Sequence, residues 1–382
     1  MSLYKRASGR YAVVVAKAEG STTRRSLGTF ATRADAEKAE RSALALRDRG
    51  IDLAPQFITV AEIVQRYLRD RNTRCETKTM EEYEKIASSY ILPKLGSKPI
   101  AKLRPAHISE WQHSLAESGG QGGRALSAKT TFHARSFLSA ALKWACKMQL
   151  LVVNPCDAVD APKVRRSDAK ALSTAEVSQL IQTCKGSSWN IFVILALTLG
   201  ARRGELLAIR WEHVDFECKT VTLEGSLSQT KDCVALKGTK TDRTRTVPLS
   251  RPALEVLHRQ RARQAADKLR AGGIYDDQGW VFANELGSWL TPKSATAAYA
   301  RIAQKAGISS TRLHDLRHTA ATTLLVSGID VRTVAGILGH STATTTLSTY
   351  AHLLADSQRI AVERLGDAFD AITQETVETS RR

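Results

Sequence analysis

The sequence is most informative first in what it lacks. Six cysteines occur in 382 residues, at 75, 146, 156, 184, 218 and 233, and no two form a C-x-x-C pair. Scattered thiols of this kind exclude a disulfide framework and a cysteine zinc knuckle, and point to a reducing compartment. No apolar run approaches the roughly 20 residues that span a bilayer. The longest candidate, Ile191 to Leu199, is about half that length. Met1-Ser-Leu-Tyr-Lys-Arg lacks the apolar core of a secretory leader, so a cytoplasmic location is expected. The phosphate-binding pattern G-x-x-x-x-G-K-[ST] is missing, as is a paired-carboxylate metal cluster, so neither ATP nor a metal cofactor is expected. Acidic residues are few: 38 against 56 Lys and Arg, a net charge of +18. That excess favours a polyanionic partner, either nucleic acid or an acidic membrane surface. The basic residues are spread along the chain rather than gathered in a tail, as an extended nucleic-acid surface requires.

With 43% hydrophobic residues the chain can bury real cores, and its length calls for two or three of them. Residues 1–55 read as a small unit. Tyr11-Ala-Val-Val-Val-Ala and Ser26-Leu-Gly-Thr-Phe are strands, Glu19-Gly-Ser a turn, and Thr32 with Asp35 caps a following helix. Lys5, Arg6, Arg10, Arg24 and Arg25 belong to the sheet part, and a basic sheet backed by one helix can enter a DNA major groove. Residues 56–160 are helical, with one segment from Thr59 and others over Lys78 to Tyr90, Pro105 to Leu115 and Ser127 to Met148. In the last of these Phe137, Ala141, Trp144, Ala145 and Met148 form an apolar stripe, with Asn154-Pro155 as the stop. Residues 161–172 form a basic linker containing Lys163, Arg165 and Arg166. Ser173-Thr-Ala-Glu176 is a capping box that opens a mixed, mostly helical domain over 173–355. Its clear sheet lies between Thr220 and Leu249, where Thr220-Val-Thr-Leu is answered by Arg245-Thr-Val-Pro-Leu and residues 237–242 have the composition of a hairpin tip. Residues 356–382 form a tail, with a helix expected over 359–372. The fold class expected is therefore multidomain and mainly α, with a small sheet-plus-helix domain, an all-α domain and an α+β domain.

Several stretches carry chemistry. In Leu199-Gly-Ala-Arg202-Arg-Gly-Glu205, an apolar helix ends near Gly200 and another begins near Gly204. Arg202 then sits at a turn from which it can reach into a cleft, and Glu205 in the first helical turn suits both the positive helix end and an arginine. In His314-Asp-Leu-Arg317-His318 the first histidine and the arginine are placed to share a helix face. His314 and His318 stand four apart, but a zincin would carry Glu where Asp315 stands, and Arg317 would set a fixed cation beside the metal. His318 is therefore expected to pack or hydrogen-bond within the fold. Gly328 ends one helix, Val331 to Leu338 form the next, Gly339 terminates it and His340 follows on a turn. A polar segment from Ser341 leads to Tyr350.

The series Arg202, Lys240, His314-x-x-Arg317, Leu338-Gly-His340, Tyr350 resembles the catalytic set of the tyrosine recombinase (phage integrase) family. Leu199 stands where that family usually has threonine, beside the arginine rather than on it, and Lys237 is an alternative to Lys240. The resemblance implies a core-binding domain over 56–160 and an arm-type DNA-binding domain over 1–55. It implies that Tyr350 attacks a phosphodiester, with Lys240 protonating the leaving oxygen, to give a 3′-phosphotyrosyl link. It further implies a homotetramer on paired double-stranded DNA sites, monomeric or weakly associated when free, with DNA-bending and directionality proteins as accessories. An integrase of a phage or other mobile element in a bacterial host is expected ahead of a Xer-like resolvase or a type IB topoisomerase. In such recombinases the tail docks on a neighbouring protomer.

Overall fold

The structure is a computed structural model that describes residues 2–6, 9–16, 24–48, 58–164, 170–238, 244–340, 342–350, 362–363, 365–367 and 369. Two compact units divide at residues 166/167, inside the stretch read as a linker.

In the first unit, β1 (Ser2–Lys5), β2 (Tyr11–Ala16) and β3 (Arg24–Phe30) form an antiparallel sheet in that order. Strand β1 escapes a sequence reading because four residues are too few to display alternation. It is made by pairing, with Lys5 opposite Tyr11 and Ser2 opposite Val14. Helix α1 (Arg33–Asp48) covers the sheet, with Val13 and Ala36 fully buried between Leu3, Tyr11, Phe30 and Leu44. The Thr32 hydroxyl accepts the Asp35 N–H at 3.1 Å, as the cap requires. The turn expected at Glu19-Gly-Ser lies outside the described residues.

The helical part of this unit holds α2 (Val60–Asn72), α3 (Thr77–Ile86), α4 (Leu92–Leu95), α5 (Pro105–Ser118) and α6 (Ala128–Lys147), with a π-helical turn at Ala87–Ile91. Thr59 and Glu62 exchange side chain and backbone in a capping box that starts α2. Helix α6 buries Ala134, Phe137, Leu138, Ala141, Leu142 and Ala145 at the centre. Phe137 meets Tyr67 edge-on at 5.7 Å. The expected stripe is correct through Ala145 but not at Met148, which is 51% exposed. The helix ends at Lys147, within one residue of the expected Met148, where Gln149 turns left-handed (φ 57°) and lets the Leu150 N–H bond to the Ala145 carbonyl.

The second unit begins with α7 (Thr174–Cys184), α8 (Asn190–Leu199) and α9 (Arg203–Leu207). Ser173 and Glu176 form the expected capping box. Nearly every side chain of α8 is buried, so it runs through the core rather than over the surface, packed by α10 and α12. Strands β4 (Val214–Asp215), β5 (Thr220–Leu223), β6 (Gly225–Gln229), β7 (Val234–Gly238) and β8 (Arg245–Pro248) follow. β5 and β8 pair as the alternation predicts, Thr220 opposite Pro248, within a sheet ordered β4-β5-β8. β6 and β7 make a separate hairpin that turns through Thr230–Cys233, with Lys237 within β7 opposite Ser226, while residues 239–242 of the expected hairpin tip lie outside the described residues. The Thr230 hydroxyl accepts the Cys233 N–H and closes a turn that holds neither glycine nor proline. Helices α10 (Arg251–Ala271), α11 (Pro292–Lys305), α12 (Asp315–Val326), α13 (Val331–Leu338) and α14 (343–350) complete the described chain. The helix expected over 359–372 lies mostly outside the described residues.

Candidate active site

The end of α13 gathers three arginines. Gly339 takes the left-handed conformation (φ 69°) that ends the helix and leaves its last carbonyls unpaired within it. Three consecutive carbonyls then accept from three different elements. The Ile337 oxygen accepts from Arg245 Nε at 3.0 Å, the Leu338 oxygen from Arg317 Nη1 at 2.8 Å, and the Gly339 oxygen from Arg202 Nη2 at 3.2 Å. The negative end of the helix dipole suits this concentration of cations. Arg317 Nη1 also donates to the Gly200 carbonyl at 2.7 Å, which joins α12 to the end of α8.

Glu205 holds the group from the other side. Its carboxylate accepts from the Arg202 backbone N–H at 2.9 Å, from Arg202 Nη1 at 2.7 Å and from Arg245 Nη2 at 2.7 Å. Its side chain is 2% exposed. Burial alone would raise this carboxyl, yet the Arg245 and Arg202 hydrogen bonds outweigh burial and hold it below the ordinary carboxylate range. Arg317 is 4% exposed, and its Nη2 is buried with no hydrogen-bond partner. Loss of hydration, and then the nearby Arg202 charge, bring its pKa down to about 10, so it stays cationic at neutral pH. The expectation for Arg202 and Glu205 is met in its geometry. Arg245, noticed in the sequence only as a strand residue, proves to be the third member.

His314 is the N-cap of α12 rather than a residue of its first turn, so it stands just before Arg317's helix. Its residue surface is exposed, but its ring packs edge-on against His318 at 4.8 Å. Lost hydration and then the neighbouring His318 and Arg317 hold it at about 4. His340 bonds through Nδ1 to Thr346 Oγ1 at 2.6 Å. Burial, followed by Arg317 and Arg202, likewise lowers it to about 4. Both imidazoles are neutral at pH 7 and so keep one donor and one acceptor each.

Tyr350 is the last described residue of α14 and is 2% exposed, in a small core with Ala321, Leu325, Val334 and Leu338. Its hydroxyl is 2.7 Å from His318 Nδ1. Burial pushes the phenol up to about 12, with Arg317 pulling the other way. His318 is thus hydrogen-bonded within the fold, as expected, and its partner is the tyrosine itself. Among the described residues no group of three or more His, Cys, Asp or Glu is placed to hold a metal ion.

The remaining candidates do not all meet at this point. Lys240 lies outside the described residues, as do Arg165 and Arg166. Lys163 is exposed. Lys5, Arg6 and Arg10 are exposed at one end of β2, whereas Arg24 and Arg25 pair with Ala16 and Val15 at the other. The sheet therefore carries basic residues at two ends rather than in one cluster, because antiparallel pairing folds a sequence-adjacent group apart. No helix among the described residues is long and apolar enough to cross a membrane.

Comparison with known proteins bears directly on this arrangement. The phage integrase family model matches residues 170–357, and a phage integrase N-terminal SAM-like domain matches 59–116. A tyrosine recombinase XerC-like protein of Caldanaerobacter subterraneus subsp. tengcongensis is 27% identical over 361 residues, covering 88% of this chain and 90% of the relative. An integrase of Streptomyces ambofaciens is 25% identical over 339 residues, 85% and 84% of the two chains. Among solved structures, the Tn1549 transposon integrase in complex with transposon right-end DNA superposes with a TM-score of 0.69 at 23% identity, covering 81% of this chain and 100% of that one. A lambda integrase dimer bound to a core site gives 0.58 at 18% identity, covering 91% and 93%. With the three arginines converging on one helix end and both family models matched in order, the chain belongs to the phage integrase family of tyrosine recombinases, enzymes that cut and rejoin DNA at specific sites.

Proposed function

We propose that this recombinase cleaves DNA by attack of Tyr350 on a phosphodiester held by Arg202, Arg317, His314 and His340. The observation that carries the reading is the convergence of Arg202 and Arg317 on adjacent carbonyls just before His340, with Tyr350 on the next helix. Guanidiniums fixed on their inner edges by backbone oxygens present their outer edges in a set geometry, which suits charge growing on non-bridging phosphate oxygens. The orphan Nη2 of Arg317 is a donor still lacking its acceptor. As the Tyr350 Oη–P bond forms, the P–O5′ bond breaks; the phenol loses its proton, and the leaving oxygen gains one, which we assign to Lys240. The 3′-phosphotyrosyl link keeps the energy of the diester, and a 5′-hydroxyl of a second duplex reverses the step. Positive charge comes from arginine and the bond energy is retained, so the reaction as proposed needs neither metal nor ATP.

The hydroxyl bonded to His318 is out of reach of a substrate, so attack requires Tyr350 to exchange this contact for the phosphate. Tyr350→Phe is expected to bind its site as the parent does and to yield no SDS-stable protein–DNA adduct on a nicked suicide substrate. An adduct that persists in this variant would remove Tyr350 as nucleophile.

The substrate we assign is double-stranded DNA at the attachment sites of a phage or other mobile element in a bacterial cytoplasm. Residues 56–160 grip core-type sites and residues 1–55 grip arm-type sites. Alignment with the lambda fragment of residues 75–356 covers 75% of this chain, and with the longer lambda protein 91%, which supports an N-terminal counterpart. Similarity to a lambda integrase tetramer bound to a Holliday junction supports a homotetramer on paired sites; to this we add DNA-bending and directionality proteins as accessories. A Xer-like resolvase is the second reading, favoured by the long match to the XerC-like relative. Footprinting DNA around the chain's own gene separates them, since an attachment site there belongs to an integrase.

A further inference from the structure

Arg245 ties the α8–α9 junction to the end of α13. Its guanidinium donates from Nη2 to Glu205 at 2.7 Å and from Nε to the Ile337 carbonyl at 3.0 Å, and its side chain is 12% exposed. Its flat face lies against Gly339, where a Cβ would stand 2.5 Å from Nη1 and 2.7 Å from Cζ. A closed circuit results. Arg245 holds Glu205, Glu205 holds Arg202, Arg202 holds the Gly339 carbonyl, and Gly339 lies on Arg245. Three chain segments meet in it: the start of β8, the α8–α9 junction and the α13 terminus that leads into His340.

We propose that Arg245 is a positioning residue for strand cleavage, fixing Arg202 and His340 relative to each other by gripping Glu205 and the Ile337 carbonyl at once. This inference rests on the proposed phosphate-binding role of Arg202. Only a guanidinium fits the place, because two acceptors about one fork-width apart are met by donors rigidly spaced in one plane. A lysine ammonium can reach one acceptor but cannot span both in that plane. Without Arg245, Glu205 still accepts from Arg202, but it loses its tie to the Ile337 carbonyl, and the pair is left held to the turn that carries His340 by the 3.2 Å bond from Arg202 to the Gly339 carbonyl. Arg202 then meets the phosphate from a distribution of positions, and the charge-stabilising part of catalysis falls while DNA affinity does not.

The test compares adduct formation by the full chain on a nicked suicide substrate with an ordinary scissile phosphate and with a neutral methylphosphonate at that position. Arg245→Ala is expected to bind DNA within about threefold of the parent and to form adduct about 100-fold more slowly, the size of loss seen when one transition-state donor is displaced. On the methylphosphonate the defect shrinks to about tenfold or less, because the charge that Arg202 counters is missing. The Arg202→Ala, Arg245→Ala double variant is no slower than Arg202→Ala alone, since both act on one interaction. Arg245→Lys, which keeps the charge and one hydrogen bond, folds as the parent does by thermal unfolding and falls between the two. Parental cleavage rates in both Arg245 variants, defects that multiply with that of Arg202→Ala, or an equal defect on the neutral substrate would each overturn the proposal. An active Tyr350→Phe or Arg202→Ala would instead overturn the reading of the site, so the two failures are distinguishable.

Discussion

Glu205 is the residue on which the arginines depend for their order. One carboxylate, 2% exposed, accepts from three donors on two arginines, and removing its charge leaves two guanidiniums facing each other with little water between them. Glu205→Gln is expected to lower stability by about 2–3 kcal/mol, less than a fully buried pair would lose because Arg202 is 37% exposed. A shifted denaturant midpoint at constant slope checks this, and an unchanged midpoint would show that the contacts are not worth their burial. The histidines set a pH dependence. His314 and His340 titrate at about 4 in the folded chain against an ordinary value near 6.5. The unfolded chain therefore binds protons that the folded chain excludes, and stability falls as pH drops from about 6.5 towards 4 while staying level above that window. Urea unfolding at pH 5 and pH 7 measures it, and His340→Gln is expected to flatten the slope. At this scale the sequence was legible where residue type dictates chemistry: two arginines, two histidines and a tyrosine. Arg245 and the His318–Tyr350 bond were not, since neither partner is near the other in sequence.

The C-terminus of α13 shows how an element can be worth more than its side chains. Its sequence contribution is brief, Ile337-Leu-Gly, and what matters is backbone oxygen. Gly339 is required twice, by its φ of 69° and by the Arg245 face where a Cβ would fall. Gly339→Ala is expected to cost about 2 kcal/mol or more from the left-handed strain and the displaced guanidinium, and to slow adduct formation together with it. A substitution that left both stability and rate untouched would show that the turn adapts. Helix ends were mostly readable, because capping is local: Thr32, Thr59, Ser173 and Thr291 all accept from the backbone three residues on. The β6–β7 turn at Thr230–Cys233 was not readable, because it holds neither Gly nor Pro and is closed by the Thr230 hydroxyl instead. The end of α6 was readable to within one residue, Met148 expected against Lys147 observed, although the left-handed Gln149 that closes it carries no glycine or proline signal.

Over the whole molecule, charge and connectivity do what no single element can. A net +18 spread along the chain suits a partner whose phosphates run past every domain. If residues 1–55 grip a second class of site, their deletion spares adduct formation on core-site DNA but lowers integration in a paired-site assay, and unchanged integration would remove that assignment. The division into two units at 166/167 follows a basic, proline-containing stretch that was visible in composition. The sequence by itself determined the chemistry on offer, the helical segments and their caps, and the pairing of β5 with β8, because each depends on residue type or on neighbours a few positions away. Only the tertiary structure decided that three carbonyls of one helix end would hold arginines from three elements, that Glu205 and Arg245 would close a ring around them, and that Tyr350 would rest buried against His318. Those contacts join residues as far apart as 137 positions, and nothing in a linear pattern records which distant donor a backbone oxygen will accept.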